Sequence, residues 1–393
     1  MFDFIVIGKG MIGSAAGRYL SQTNSNIALV GPDEPENWQA HNGVFASHYD
    51  QGRITRILDT DLIWGRLAQM AQDAYPEIES QSGIKFHHVV GGVRASAVSA
   101  DPINTAEHVG RQLGADFEKI SPSQINQQLP FFDFPEQSHI LWEHSTAGYV
   151  NPRQLVAAQV KVAEQQRARI IRETALKLDK HPTHITVTTD SGTIIEGKRV
   201  LIAAGSYTNM LLPDQPLELK RESHMILRAE VGPAEQERLA DMPTLIYQLP
   251  EGSAMFSLYM LPPIKYPDGK TYIKLGGNTF WEPEIFEDWE RIPEWFHSDG
   301  EPKEAETLKS VLHQTLPNLK VDNYTTKPCI LTYTPSNYPY LDQIDDRLFV
   351  ATGGCGAAAK SSDAIGRLAA LRVLGQACPE SFGWEPFKAI PAG

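Results

Sequence analysis

Cysteine is scarce in this sequence. Cys329, Cys355 and Cys378 are the only three among 393 residues, too few and too odd a number for a disulfide framework. A reducing, cytoplasmic setting is the expectation that follows. Long apolar runs are also missing: none approaches the roughly 18 to 20 residues that a membrane-spanning helix needs, so no membrane partner is expected. The start of the chain, Met1-Phe2-Asp3 before Phe4-Ile5-Val6-Ile7, carries neither a basic stretch nor a small-residue cleavage site. Basic residues are outnumbered, 35 Lys and Arg against 48 Asp and Glu, for a formal charge of -13. A surface of that sign repels phosphate backbones, so no nucleic acid is expected as a partner. The 12 histidines do not make a metal site, because His87-His88 and His41 with His48 lack ligand spacing and accompanying carboxylates. No nucleophile elbow, internal repeat or low-complexity tract occurs.

What is present is the composition of an ordinary folded protein, 41% hydrophobic, 9% aromatic and 21% charged, which excludes disordered and fibrous classes. The length exceeds one ordinary core and predicts two domains, or one with a large insertion.

The first thirty residues read as a βαβ unit. Phe4 to Ile7 is a short apolar run suited to a strand buried on both faces of a parallel sheet. Gly8-Lys9-Gly10-Met11-Ile12-Gly13 follows, then a small-residue helix, then the strand Ile27 to Val30 stopped by Gly31-Pro32. Gly8-x-Gly10-x-x-Gly13 thus stands after a strand and opens a helix, where a dinucleotide fingerprint belongs. Gly8 permits a tight turn, Gly10 lets backbone approach a pyrophosphate, and Gly13 lets helix pack on strand. The acidic residue expected at the end of the second strand is replaced by Gly31-Pro32; either Asp33 or Glu34 could reach the ribose.

Further along, apolar spacing from Asp61 to Tyr75 predicts a helix ended by Pro76. Phe86 to Val98 is strand-like, and Pro152 to Arg167 is a helix capped by Asn151. Ile185 to Thr189 and Thr193 to Ile195 predict a hairpin, with a separate buried strand at Arg199 to Ala204. From Leu211 to about Lys327, prolines, aromatics and alternation, as in Lys270 to Gly276, indicate a mostly antiparallel sheet with a helix at Glu304 to Gln314. The strand Leu348 to Thr352 then runs through Gly353-Gly354-Cys355-Gly356 into a helix, Ser361 to Leu374. The chain therefore ends much as it began.

The expected fold class is α/β: a Rossmann-like dinucleotide domain from segments 1–80, 145–215 and 325–393, with an interleaved α+β substrate domain on a mostly antiparallel sheet, 81–144 and 216–324. A nicotinamide enzyme usually completes its domain locally. The second glycine-rich strand–helix junction instead offers a helix amino end to the N1–C2=O edge of a flavin, which favours FAD.

These motifs, with Ser47-His48-Tyr49-Asp50-Gln51-Gly52-Arg53-Ile54-Thr55-Arg56 and Ala203-Ala204-Gly205-Ser206-Tyr207-Thr208, resemble the monomeric sarcosine oxidase and N-methyltryptophan oxidase group of D-amino-acid-oxidase-like flavoproteins. The resemblance runs through nearly the whole chain in order. It implies that Lys274 is the catalytic lysine near flavin N5, where a buried cation stabilises superoxide. It implies that Arg56 and Lys360 grip a substrate carboxylate, as a planar guanidinium and an ammonium can. It places Tyr259 and Leu331 at the substrate. Cys329, before Ile330-Leu331-Thr332-Tyr333-Thr334-Pro335, matches the cysteine that attaches the flavin covalently, and Arg53 an arginine near the flavin. Gly8, Gly10, Met11, Ile12, Gly13 and Asp33 are expected at the cofactor. Ser47, Leu176, Ala204, Gly205 and the glycines Gly353, Gly354 and Gly356 join them, with Lys360 shared between cofactor and substrate.

Three positions depart from sarcosine oxidase: Tyr49 and Asn278 stand where it has histidines, and Leu331 replaces a tyrosine. The expected activity is therefore FAD-dependent oxidation of a secondary or N-methylated amino acid by O2, giving imine and peroxide, with sarcosine itself disfavoured. A monomer is expected. The rivals are a flavin dehydrogenase feeding a quinone or carrier, a nicotinamide dehydrogenase, and a non-catalytic flavin-binding subunit.

Overall fold

The computed structural model describes residues 1–23 and 26–393. Its first sheet has eight strands and begins at Phe2–Ile7, which lies between Ile27–Val30 and Ile194–Ile202. Both pairings are parallel, with Ile7 opposite Val30 and Ile202. Ile5 and Val6, on opposite faces, are fully buried, as expected of a parallel strand covered on both sides. Leu348–Thr352 joins the carboxy-terminal half of Ile194–Ile202 in parallel, while Ile185–Thr189 joins its other half in antiparallel. The expected hairpin is present, but its second arm and the expected separate strand are one nine-residue strand, long enough to serve two partners in succession.

The helices Met11–Ser21 and Ser362–Leu374 bind the two ends of the chain together. Gly366 sits so close that a Cβ there would lie 2.5 Å from Ala15 Cβ. Beside it, buried Asp363 accepts from Arg18 at 3.0 Å, Tyr19 at 2.8 Å and Gln159 at 2.6 Å. A buried charge needs partners of this quality.

The second sheet also has eight strands, mostly antiparallel, running in order Asn323–Tyr333, Lys220–Glu230, Thr271–Thr279, Met255–Lys265, Thr244–Gln248, Gly92–Ser96, His139–Glu143 and Phe117–Ile120. Asn323–Tyr333 is an edge of this sheet, although the sequence reading assigns residues from 325 onward to the dinucleotide domain. A small third sheet joins Arg53–Thr55, Gly148–Val150 and His87–Val89.

Alternation runs through most of the second sheet, with register shifts where Met255–Lys265 pairs with Thr271–Thr279. Met225, Leu227, Leu245, Met260, Ile273 and Leu275 face a core shared with the helix Pro302–Thr315. Intervening side chains such as His224, Ile226, Ile246 and Lys274 lie on the opposite face.

One expectation fails outright. The helix expected to stop at Pro76 runs from Leu62 to Ser82 and ends on Gly83 in the left-handed conformation. Proline removes one backbone hydrogen bond, but burial of Tyr75 and Ile78 on either side of it, both 0% exposed, outweighs that loss. No described helix is long and apolar enough to cross a membrane.

Candidate active site

A cavity of about 1200 Å³ lies between the two large sheets. Single ligand sites usually occupy about 300–1,000 Å³, so this one has room for a large cofactor and a small substrate together.

Its first wall is glycine and backbone. Gly8 has φ +107, and a Cβ there would stand 2.2 Å from Ala203 O; a Cβ at Gly13 would stand 1.8 Å from Gly8 O. Only glycine fits either place. The helix opened by Gly10 has no side-chain cap, so its first N–H groups and its dipole are offered to an anion. Gly8, Gly10, Met11 and Ile12 line the cavity, and so do Ser47, Leu176, Ala204 and Gly205. Gly353, Gly354 and Gly356 line it too, in a loop where Gly353, Cys355 and Gly356 all have positive φ.

Gly13 is buried beneath this surface. Asp33 does not line the main cavity: it pairs with Lys9 and Arg172 at the edge of an adjoining space of about 370 Å³. Glu34, the other acid considered for the ribose, makes a two-pronged pair with Arg153, both contacts at 2.6 Å.

The second wall is one face of the second sheet. Ladder partners Cys329 and His224, Lys327 and Ile226, Arg228 and Lys274, and Tyr259 and Ile246 share that face by register. Cys329, His224, Lys327, Lys274, Tyr259 and Leu331 line the cavity. Burial holds the His224 imidazole neutral, down to about 4, helped by the nearby Lys274 and Arg53. Burial raises the Cys329 thiol, and Arg53, Lys274 and Lys327 pull it the other way.

Lys274 is 1% exposed. Its ammonium donates to Asp50 Oδ2 at 2.7 Å and to Gly52 O at 2.8 Å. Arg53 pairs with the same Asp50 and donates to Ser47 O at 3.0 Å.

A third group closes the cavity near Arg56. Asp59 accepts from Arg56 at 2.6 Å and pairs with Lys360 at 3.3 Å. These two cations hold its carboxyl well below the usual range despite its burial. Lys360, over the Trp64 ring at 5.1 Å, is lowered by burial to about 8. Arg94 lies close enough for its charge to act on Arg56 and Asp59 and is lowered to about 10, mainly by burial. Glu143, near Arg56, gives both oxygens to the Ile57 and Leu58 N–H groups at 2.8 and 2.9 Å. Three cations against two acids leave one positive charge, and Arg56 Nε and Arg94 Nη1 are buried without a partner among the described residues.

The structure therefore brings Arg56, Lys274, Tyr259, Cys329, Leu331 and Lys360 to one cavity. Sequence reasoning missed Asp50, Asp59, Arg94 and Lys327. Only Asp59 left a signal, standing three residues after Arg56; Asp50 and Lys274 are 224 positions apart.

Residues 3–372 match the family described as DAO, FAD dependent oxidoreductase. The chain belongs to that family. Its cofactor is FAD, and the residues present suit one: a glycine cradle that a Cβ would fill, an uncapped helix, and His48, whose Nδ1 is buried without a partner among the described residues and lies 3.9 Å from where a Gly10 Cβ would stand. N-methyl-L-tryptophan oxidase of Yersinia pestis (strain Pestoides F) is 23% identical over 377 residues, covering 94% of each chain. Among solved structures, the open form of NikD, described as an unusual amino acid oxidase essential for nikkomycin biosynthesis, aligns with a TM-score of 0.79 at 18% identity. That alignment covers 100% of this chain and 98% of NikD. L-Proline dehydrogenase from P. horikoshii gives 0.75 at 15% identity, over 98% and 97%. At these identities the structural likeness speaks for the fold. This FAD-dependent oxidoreductase is thus an enzyme of amino-acid or amine type, with a mixed α/β fold. Among the described residues no group of side chains suits a metal.

Proposed function

We propose that the protein oxidises a secondary or N-methylated amino acid, passing electrons to O2 and yielding an imine and hydrogen peroxide. The observation that carries this reading is the surplus positive charge beside the cavity, where Arg56 and Lys360 share Asp59. A substrate carboxylate would neutralise it and satisfy buried N–H groups. One surplus charge matches one carboxylate.

FAD, when bound, supplies the acceptor for a hydride equivalent. Everything else falls to the chain. Arg56 and Lys360 hold the carboxylate and so fix which carbon is presented. Tyr259, half-buried, and Leu331 shape the space around the substituent on nitrogen. The neutral His224 and the ion-paired Lys274 leave the amine free to bind uncharged, and water then hydrolyses the released imine. Lys274 provides the cation next to which O2 accepts its first electron. Dinucleotide contacts belong to Gly8, Gly10, Met11, Ile12, Ser47, Arg53, Leu176, Ala204, Gly205 and the Gly353–Gly356 loop, with Gly13 supporting them from beneath. Asp33 or Glu34 serves the ribose. The reading extends to a thioether between Cys329 and the flavin, the domain division given above, a monomeric state and a cytoplasmic location.

A peroxide assay across N-methyl and cyclic amino acids tests the activity, with anaerobic reduction by the best substrate followed by admission of air. Rapid return of the oxidised spectrum is expected; slow return in air with fast return to a quinone would make the protein a dehydrogenase. Acid denaturation tests the thioether: yellow colour stays with the pellet if Cys329 is bonded and leaves with the supernatant if it is not.

A further inference from the structure

We infer that Asp50 is a positioning residue that holds Lys274 in place as a cation at the cavity wall. The inference rests on the proposed oxygen-activating role of Lys274 and deepens it. Lys274 sits in the interior of a sheet face, 1% exposed, with its ammonium 5.9 Å from the Tyr259 ring centroid. The groups facing it are mostly positive or neutral. Arg53 comes from the strand Arg53–Thr55, Arg228 stands directly opposite in the ladder, and Lys327 and the Cys329 thiol come from the edge strand. His224 faces it as a neutral ring from the Lys220–Glu230 strand. Burial, with Arg53, Lys327 and Arg228, pushes the ammonium well below its usual range.

Asp50 is the counterweight. It is 3% exposed, and its Oδ2 accepts from Lys274 at 2.7 Å. Its other oxygen accepts from the buried Tyr266 hydroxyl at 3.0 Å. The carboxylate is thus fixed from two sides and cannot turn away from the lysine without abandoning a buried hydrogen bond. Gly52 O, at 2.8 Å, takes a second lysine proton. A charge pair this dry depends on both members. Removing the carboxylate leaves an uncompensated buried ammonium, which sheds its proton instead.

The consequence is read in the oxygen half of the reaction. Two electrons and two protons pass to O2 to give hydrogen peroxide, and the first electron makes an anion that a neutral amine cannot stabilise. Substrate oxidation, held by Arg56 and Lys360, does not depend on this pair.

The test uses the flavin-loaded wild-type protein and the variants Asp50→Asn, Asp50→Glu and Lys274→Met, each reduced anaerobically with dithionite and mixed with oxygenated buffer between pH 6 and 9. Wild type and Asp50→Glu should reoxidise fast through the lower part of this range and slow together only toward its upper end. Asp50→Asn should be tenfold or more slower at pH 8.5 and recover toward wild type as pH falls and Lys274 regains its proton. Lys274→Met should be slow at every pH. If Asp50→Asn follows wild type while Lys274→Met is slow, the inference about Asp50 is overturned and the role of Lys274 survives. If Lys274→Met is as fast as wild type, the oxygen-activating reading falls and takes the inference with it. A uniformly slow, pH-independent Asp50→Asn also overturns it, since that is damage to the fold. Should Asp50→Asn fail to hold flavin, the wild-type profile decides: a fall centred below pH 8 shows that Asp50 does not keep Lys274 charged.

Discussion

The wall that the parallel sheet gives to the cavity is made of backbone, whereas the wall given by the antiparallel sheet is made of side chains. In the first, glycines stand where a Cβ would overlap a carbonyl at Gly8 and Gly13, and what is offered to the cofactor is N–H groups and a helix end. In the second, Lys274, Cys329, Tyr259 and Leu331 come from three different strands, and their usefulness lies in register. A backbone surface is all or nothing, because one wrong atom displaces strand and helix together. A side-chain surface can be edited one residue at a time.

The largest expected effect breaks the first wall. Gly13→Val puts branched carbon against Gly8 O, where even a Cβ would lie at 1.8 Å, and nothing nearby is a flexible chain end. Purified protein should carry no flavin absorbance, and its melting temperature should fall sharply. Normal yellow protein from this variant would show that the cradle tolerates what its geometry forbids.

The second wall should fail selectively. Arg56→Met leaves the glycine cradle intact but removes one of the two cations on Asp59, a change of a kind that costs about 2–5 kcal/mol. Flavin content should stay close to wild type and the melting temperature should fall only modestly, while anaerobic reduction by substrate slows on the order of a hundredfold at low substrate. Equal loss of flavin and activity would erase the distinction between the walls.

That distinction also explains what could be read from the sequence. The amino-terminal βαβ unit and the Gly353 loop were legible because left-handed turns and close approaches require glycine at fixed offsets, and such requirements are local. Asn151 as a cap was legible for the same reason: its side chain accepts from Gln154 N three residues on. The helix through Pro76 was not, because its continuation depends on burial of Tyr75 and Ile78 rather than on local preference. Lys274 was found through resemblance alone; in isolation a strand lysine looks like a solvent-facing one. Asp50 could not be paired with it, since no spacing rule links a loop before the third strand to a strand in another sheet.

A pH titration sharpens the comparison within the second wall. Lys360 is lowered by burial from 10.5 to about 8, so it is charged below that pH and neutral above it. Substrate capture through Lys360 should therefore hold below about pH 8 and weaken as pH rises beyond it, approaching tenfold per unit. The measurement is kcat/KM against pH, which reports groups of the free enzyme. In Lys360→Met the fall should vanish; a fall that persists belongs to another group.

The smallest effect concerns shape. Leu331 projects toward the carboxy-terminal glycine loop, where a Cβ on Gly356 would meet its Cδ1 at 3.7 Å. It lies on the Cys329 face. Leu331→Tyr adds volume there without disturbing the glycine cradle or the Arg56–Asp59–Lys360 group. Discrimination by one apolar contact is worth about 1–3 kcal/mol, and a side chain with room to turn should stay at the low end. The ratio of kcat/KM for a bulky over a small N-substituted amino acid should drop several-fold, with flavin content and the pH profile unchanged. If the ratio does not move, Leu331 does not border the substituent, and selection among amines must rest on Tyr259 and the residues around it.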